Sequence, residues 1–218
     1  MLLSQLQESI RTYLVTNASK AKGKKFFDGL DNIFRLALSS EQKTEQNSGA
    51  VNQNLVNIAK AYFDLKQKPN ISNSHRRRIF AESAAYLNNI KAITLIQEIY
   101  IKQVNFYKSN SWTRKNLTEV FIELVKTKPS NEELKARIDI YNKQVDLFKS
   151  KSWSIGGLTN AFIELIKAKP SIEEWEIYNK QVDLWILQGW NTQALTEAFI
   201  ELVKTKPTGK ELVARTIL

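Results

Sequence analysis

Apolar residues along the second half of the chain recur at spacings of three and four and stop at prolines. Leu134, Ile138, Tyr141, Val145 and Phe148 make one such stripe; Leu117, Phe121 and Leu124, then Leu158, Phe162 and Leu165, then Leu195, Phe199 and Leu202 make three shorter ones. That spacing collects side chains on one face of an α-helix. It predicts first helices over 90–110, 131–150 and 172–188 and second helices over 114–127, 155–168 and 192–205, three antiparallel pairs with no strand. Upstream, Leu2, Leu3, Leu6, Ile10, Tyr13 and Leu14 predict a helix over 2–17, and Phe26, Phe27, Leu30, Ile33 and Phe34 predict another over 26–39. A polar loop or frayed helix end is expected from Ser39 to Gly49, then a helix over 51–68 carrying Leu55, Ile58, Ala59, Tyr62 and Leu65. Residues 70–112 contain neither proline nor glycine and are too long for one ordinary helix, so they are divided at Asn88 and Asn89.

The pattern is also repeated. NLTEVFIELVKTKP at 116–129 returns as GLTNAFIELIKAKP at 157–170 and ALTEAFIELVKTKP at 194–207, and a second phrase, YIKQVNF or YNKQVDL, begins at Tyr100, Tyr141 and Tyr178. Repeats therefore run over 100–140, 141–177 and 178–218, continuous with a helical region over 1–99. The tyrosines are 41 and then 37 residues apart. The missing four residues are about one helical turn, a loss that shortens a helix and leaves its apolar face in place. Ser130 with Glu133, Ser171 with Glu174 and Thr208 with Glu211 fit capping boxes, while Thr113, Ser154 and Asn191 fit N-caps of the second helices. Trp112, Trp153 and Trp190 precede those caps, where each is expected to pack as a hydrophobic staple on Leu117, Leu158 or Leu195.

Leu195, Phe199, Leu202 and Pro207, with their counterparts in the two earlier copies, stand at the spacings of the second helix of the tetratricopeptide repeat, and over this phrase the chain resembles that family. The resemblance implies an all-α fold: a right-handed superhelix of stacked antiparallel helix pairs, an α-solenoid with a helical cap at its N-terminal end and a concave binding surface. It implies no particular ligand. The family's peptide-binding residues lie in a first-helix motif that is not matched here.

Composition narrows the chemistry. Among 218 residues there is no cysteine and one histidine, His75, so disulfides, thiolate metal sites and multi-histidine sites are excluded. No phosphate-binding glycine loop or nucleophile motif occurs, and the expectation is a non-enzymatic protein without cofactor, metal or catalytic residues. The N-terminal stretch lacks the continuous apolar core of a signal peptide and no long apolar run follows, which predicts a soluble, cytoplasmic chain.

The net charge of +10 is concentrated before residue 141. Lys20, Lys22, Lys24 and Lys25 form one basic cluster and Arg76, Arg77 and Arg78, beside His75, a second, together a candidate patch for phosphates. The nearly neutral repeats instead place Lys102 and Gln103, Lys143 and Gln144, and Lys180 and Gln181 at equivalent positions, ladders that a linear partner could read. Glu123, Glu164 and Glu201 recur likewise, as do Lys126, Lys167 and Lys204; Gly156 and Gly157, adjacent near a helix start, fit close ligand approach, tight packing or simple tolerance. The expected function is a scaffold that binds a protein or peptide partner. The alternative is a nucleic-acid or anionic-membrane binder using the basic N-terminal half, distinguished by steep salt dependence. At the other end TGKELVARTIL aligns with SNEELKARIDI, and Leu212, Val213, Ile217 and Leu218 fit three readings: a short helix that folds back on its own apolar side, packing on a second copy in a homodimer, or continuation into further repeats.

Overall fold

The computed structural model describes residues 1–17, 23–44, 53–67, 73–106, 111–208, 210–211 and 214. Among them the regular structure is ten helices and no strand: α1 (Leu3–Thr16), α2 (Lys24–Thr44), α3 (Gln53–Gln67), α4 (Asn73–Tyr86), α5 (Ile90–Phe106), α6 (Ser111–Lys126), α7 (Asn131–Ser150), α8 (Ile155–Lys167), α9 (Ile172–Leu187) and α10 (Thr192–Lys204). None of these helices is long and apolar enough to cross a membrane. They form two compact units, Met1–Asn105 and Phe106–Leu218.

In the N-terminal unit α1 packs on α2 and α4, and α3 packs on α2 and α4. Every residue from Ile79 to Ala85 is buried, so α4 has no polar face and lies at the centre of the unit. Phe34 of α2 stacks on Tyr62 of α3 with ring centroids 3.9 Å apart, and Phe80 of α4 closes the cluster. The predicted break between α4 and α5 is where Asn88 and Asn89 put it, because the two residues offer the chain alternative partners. Asn89 accepts from the Lys91 amide at 2.9 Å, and buried Gln7 of α1 donates to the Leu87 carbonyl at 3.1 Å and to Asn88 at 2.8 Å. One expectation shifts: α2 runs on to Thr44, so the polar stretch begins as helix. Glu, Gln and Lys are good helix formers, and no glycine intervenes before Gly49. Gly29 earns its place differently, since a Cβ there would collide with the ring of Tyr13, whose hydroxyl donates to the Phe26 carbonyl at 3.0 Å.

In the C-terminal unit α6 packs on α8 and α8 on α10, α7 packs on α9, and α7 and α9 each pack on the helix that follows. The stripes start and stop within a few residues of the predicted limits because caps fix them. Ser130 and Ser171 close reciprocal capping boxes with Glu133 and Glu174, their amides donating to the glutamates at 2.6 Å in both cases. Thr208 and Glu211 are joined the same way, the Thr208 amide donating at 2.9 Å. Leu212, Val213, Ile217 and Leu218 lie outside the described residues.

The second helices depart from expectation. Thr113 is not a cap, since α6 has already begun at Ser111. Ser154 stands at the N-cap of α8 without bonding through its side chain, whereas Asn191 accepts from the Gln193 amide at 3.0 Å. The tryptophans close the preceding helices. Trp153 donates its amide to Phe148 at 2.8 Å while Ser152, at φ 56°, donates to Lys149; Trp190 donates to Trp185 at 2.9 Å while Gly189, at φ 69°, donates to Ile186. This is the Schellman arrangement, which places an apolar residue beyond the left-handed one against the helix it has just left. Accordingly Trp153 meets Phe148 edge-on at 5.2 Å, and Trp190 is 47% exposed. The side chain of Trp112 lies outside the described residues.

The Lys-x-Lys-Pro phrases end their helices with the same device in truncated form. Lys128, Lys169 and Lys206 have φ of 52°, 54° and 49°, and each donates to the carbonyl three residues back. The following proline has no amide, so the second bond of the motif cannot form. A lysine in the left-handed region costs about 1–2 kcal/mol that glycine avoids, offset in part by glycine's freedom in the unfolded chain. Lys169→Gly is therefore expected to stabilise this unit by about 0.5–1 kcal/mol, read from the urea midpoint of tryptophan fluorescence; an unchanged or lower midpoint would show that Lys169 makes a compensating contact.

Candidate partner-binding surface

The residues that recur most strictly in the second unit build a buried polar chain. Tyr141 in α7 and Thr159 in α8 share a 2.7 Å hydrogen bond, and Tyr178 in α9 and Thr196 in α10 share one of 2.6 Å. Thr159 and Thr196 also donate to carbonyls one turn back, Ile155 at 2.9 Å and Thr192 at 2.6 Å. Gln144 of α7 crosses to the next pair, its carbonyl oxygen within 3.3 Å of the Tyr178 hydroxyl and 3.4 Å of Thr196. Burial pushes the Tyr141 phenol up to about 12 and raises that of Tyr178 as well, so both are neutral donors at neutral pH.

The proposed ladders divide on this geometry. Gln144 is fully buried and spends its amide between helix pairs, whereas Lys143 beside it is exposed and reaches Asp183 of α9 at 2.8 Å. Lys180 is exposed and Gln181 half-buried on α9; Lys102 is exposed and Gln103 half-buried on α5, in the N-terminal unit. Lys126, Lys167 and Lys204 each pair with the glutamate three residues earlier, at 2.6, 2.7 and 2.7 Å. A Cβ on Gly156 would make only an ordinary contact with the Ser154 hydroxyl at 3.7 Å, and one on Gly157 would meet only the flexible end of Gln193, so neither position requires glycine. Gly156→Ala should raise stability by about 0.5 kcal/mol through helix propensity alone, measured by the same fluorescence midpoint.

The second basic cluster is largely internal. Arg76 and Arg77 are each 8% exposed, while Arg78 and His75 are half-buried. Arg77 is ion-paired with Asp31, donates to Tyr62 at 2.8 Å and to the Phe27 carbonyl at 3.3 Å, and lies 4.6 Å over the Phe27 ring. α4 is buried on every side from Ile79 to Ala85, and Arg76 and Arg77 just before that stretch enter the core with it. Lys24 and Lys25 are exposed, and Lys20 and Lys22 lie outside the described residues.

Between the first halves of α7 and α9 runs an open groove of about 440 Å³. Glu132, Ala136 and Asp139 line one side and Ile172 and Glu176 the other, over a floor that includes buried Trp175. Ile172 is 64% exposed. The groove's only cation, Arg137, is already committed: it pairs with Glu133 at 3.1 Å, donates to Thr127 at 3.0 Å and lies 5.2 Å over the Trp175 ring. Burial lowers its pKa, opposed by Glu133. Its charge is thus neutralised within the wall, leaving the exposed carboxylates of Glu132, Asp139 and Glu176 around an apolar strip. Such a surface suits a ligand with an apolar anchor flanked by cations.

The groove as a whole has no signature in the sequence, because it exists only once α7 and α9 lie side by side. Ile172 gave a local signal, an apolar residue immediately after the Ser171 cap and outside the helix stripe. No family model, curated protein or solved structure matches the chain.

Proposed function

We infer that this chain is a non-enzymatic helical-repeat scaffold, stacked as a right-handed solenoid of the tetratricopeptide type, that holds a basic amphipathic segment of a protein partner in the α7–α9 groove. One observation carries the reading: an apolar strip bearing a 64% exposed Ile172 is bordered by carboxylates, and Arg137, the cation in the groove's own lining, is already paired. Helices and extended peptides commonly dock this way, with apolar anchors in the groove and charges selecting the partner at its rim. The burial of Arg76 and Arg77 takes two of the seven residues of the basic patch away from the nucleic-acid alternative.

The test uses a helical peptide of leucine and lysine at amphipathic spacing, its glutamate-for-lysine counterpart and a mixed RNA, titrated against tryptophan fluorescence. The lysine peptide should bind and quench, with Glu132→Lys and Glu176→Lys together weakening it at least tenfold, about 1.4 kcal/mol. Equal binding of both peptides would overturn the acidic-rim reading, and RNA binding that survives about 0.15 M salt would replace it with the nucleic-acid alternative.

A further inference from the structure

Two recesses of the C-terminal unit lie beside the Lys-x-Lys-Pro helix stops, and they differ in charge. One, of about 270 Å³, is lined by Lys126 and Lys128 at the end of α6, Lys169 at the end of α8 and Arg137 of α7, with apolar surface from Ile166 and Trp175. Among the described residues no carboxylate lines it. The other sets Glu173 and Glu174 against Lys169, Lys204 and Lys206, and Lys204 is paired with Glu201, so three cations meet three carboxylates. In the first recess Lys126 is paired with Glu123 and Arg137 with Glu133. The ammonium groups of Lys128 and Lys169 are exposed and have no partner among the described residues. Four cations against two carboxylates leave a surplus of two.

We propose that this first recess is an anion site that takes a phosphate monoester. Helix ends alone do not account for its lysines. Lys126 and Lys167 already stand in the last turns of α6 and α8, where a cation answers the helix dipole. Lys128 and Lys169 lie beyond those turns at φ 52° and 54°, a backbone state that glycine holds at less cost, and the prolines that follow pin the chain there. Nothing in the turn calls for lysine, whereas the recess gains a cation from each. Arg137 adds directed donors. It is 8% exposed and supported by the Trp175 ring at 5.2 Å; of its five N–H groups two are spent, on Glu133 and Thr127, and three have no partner among the described residues. A phosphate monoester brings a charge of about −1.5 to −2 and three acceptor oxygens, which matches the surplus of two, while a carboxylate would leave one cation unanswered. Arg137 and Trp175 also line the acidic groove between α7 and α9, so site and groove share a wall. The phosphate is therefore assigned to a residue at one end of the segment in that groove; this carrier rests on the groove reading, and the site itself does not.

Calorimetric titration of the full chain with inorganic phosphate should show saturable binding with a dissociation constant on the order of 1 mM. Lys128→Gln with Lys169→Gln should weaken it at least about tenfold with unchanged helical circular dichroism, since both side chains are exposed. Lys206→Gln, in the recess whose charges are balanced, should leave it unchanged. The leucine–lysine peptide with phosphoserine added at one end, tried at each end in turn, should bind at least about tenfold tighter than the same peptide with serine. The double variant should remove that gain and keep the affinity for the serine peptide. Absence of phosphate binding to the wild type, or binding that the double variant leaves intact, overturns the site. Phosphate binding without any gain from phosphoserine overturns the carrier and makes a free phosphate ester the ligand. A serine peptide that fails to bind while phosphate binds overturns the groove reading and supports the site as one for a free phosphate ester.

Discussion

Arg77→Ala is expected to destabilise the N-terminal unit by about 3–5 kcal/mol, enough to leave little of it folded at 25 °C. The ion pair of Arg77 with Asp31 sits where neither group has water to return to, the two side chains being 10% and 5% exposed. Tyr62 completes the cluster, donating to Asp31 at 3.1 Å, and burial holds its phenol well above the usual tyrosine range. Removing the guanidinium takes from a buried carboxylate the cation that offsets its desolvation, and that cost is the source of the loss. The lost pairing alone would not be as severe. Asp31→Leu combined with Arg77→Met should therefore recover most of the stability, because an apolar pair of similar size has no charge to strand. All five tryptophans lie between Trp112 and Trp190, so this transition is followed by circular dichroism in the helical and tyrosine bands. A single mutant within about 1 kcal/mol of wild type would mean that water reaches Asp31.

The contrast between the two units shows which physical signals a sequence exposes. Helix limits from Asn131 onward were legible because Ser130, Ser171 and the prolines at 129, 170 and 207 act locally, through bonds between residues three apart. Side-chain roles were less so. Lys143 and Gln144 were copied as a pair and read as one feature, yet adjacent helical residues point about 100° apart. Gln144 falls beside Tyr141, Val145 and Phe148 on the apolar stripe, and that position would have identified it as an internal clamp. Charge counting misled at Arg76 and Arg77 because it registers sign and ignores burial. Asp31, alone among the core-spaced apolar residues of α2, was the available hint that a cation must come inward to meet it. Trp153 and Trp190 stand in connections so short that one residue both follows a helix and precedes the next, and it is their bonds to the preceding helix that the sequence pattern did not reveal. Gly189 was the local hint of this stop, being the residue type that a left-handed helix end prefers.

Trp175→Ala is expected to cost the C-terminal unit about 4 kcal/mol and to abolish peptide binding in the fraction that stays folded. Trp175 is 6% exposed yet forms part of the groove floor, so the same ring serves core and surface. Inward it packs on Phe162 at 5.8 Å and edge-on to Tyr178 at 5.9 Å, joining α9 to α8. Outward it supports the Arg137 guanidinium, which holds Glu133 and Thr127 in place. Alanine leaves a cavity at this junction and frees Arg137 to swing into the groove, where its charge would oppose a basic ligand. Trp175→Phe keeps an aromatic ring between Phe162 and Arg137 and should lose under about 2 kcal/mol. The remaining tryptophans report unfolding in urea, where a loss of 4 kcal/mol moves the midpoint by about 2 M for a unit of this size. Two results would break the link between core and groove: a midpoint shift below about 0.5 M, or a folded Trp175→Ala protein that still binds the leucine–lysine peptide with wild-type affinity.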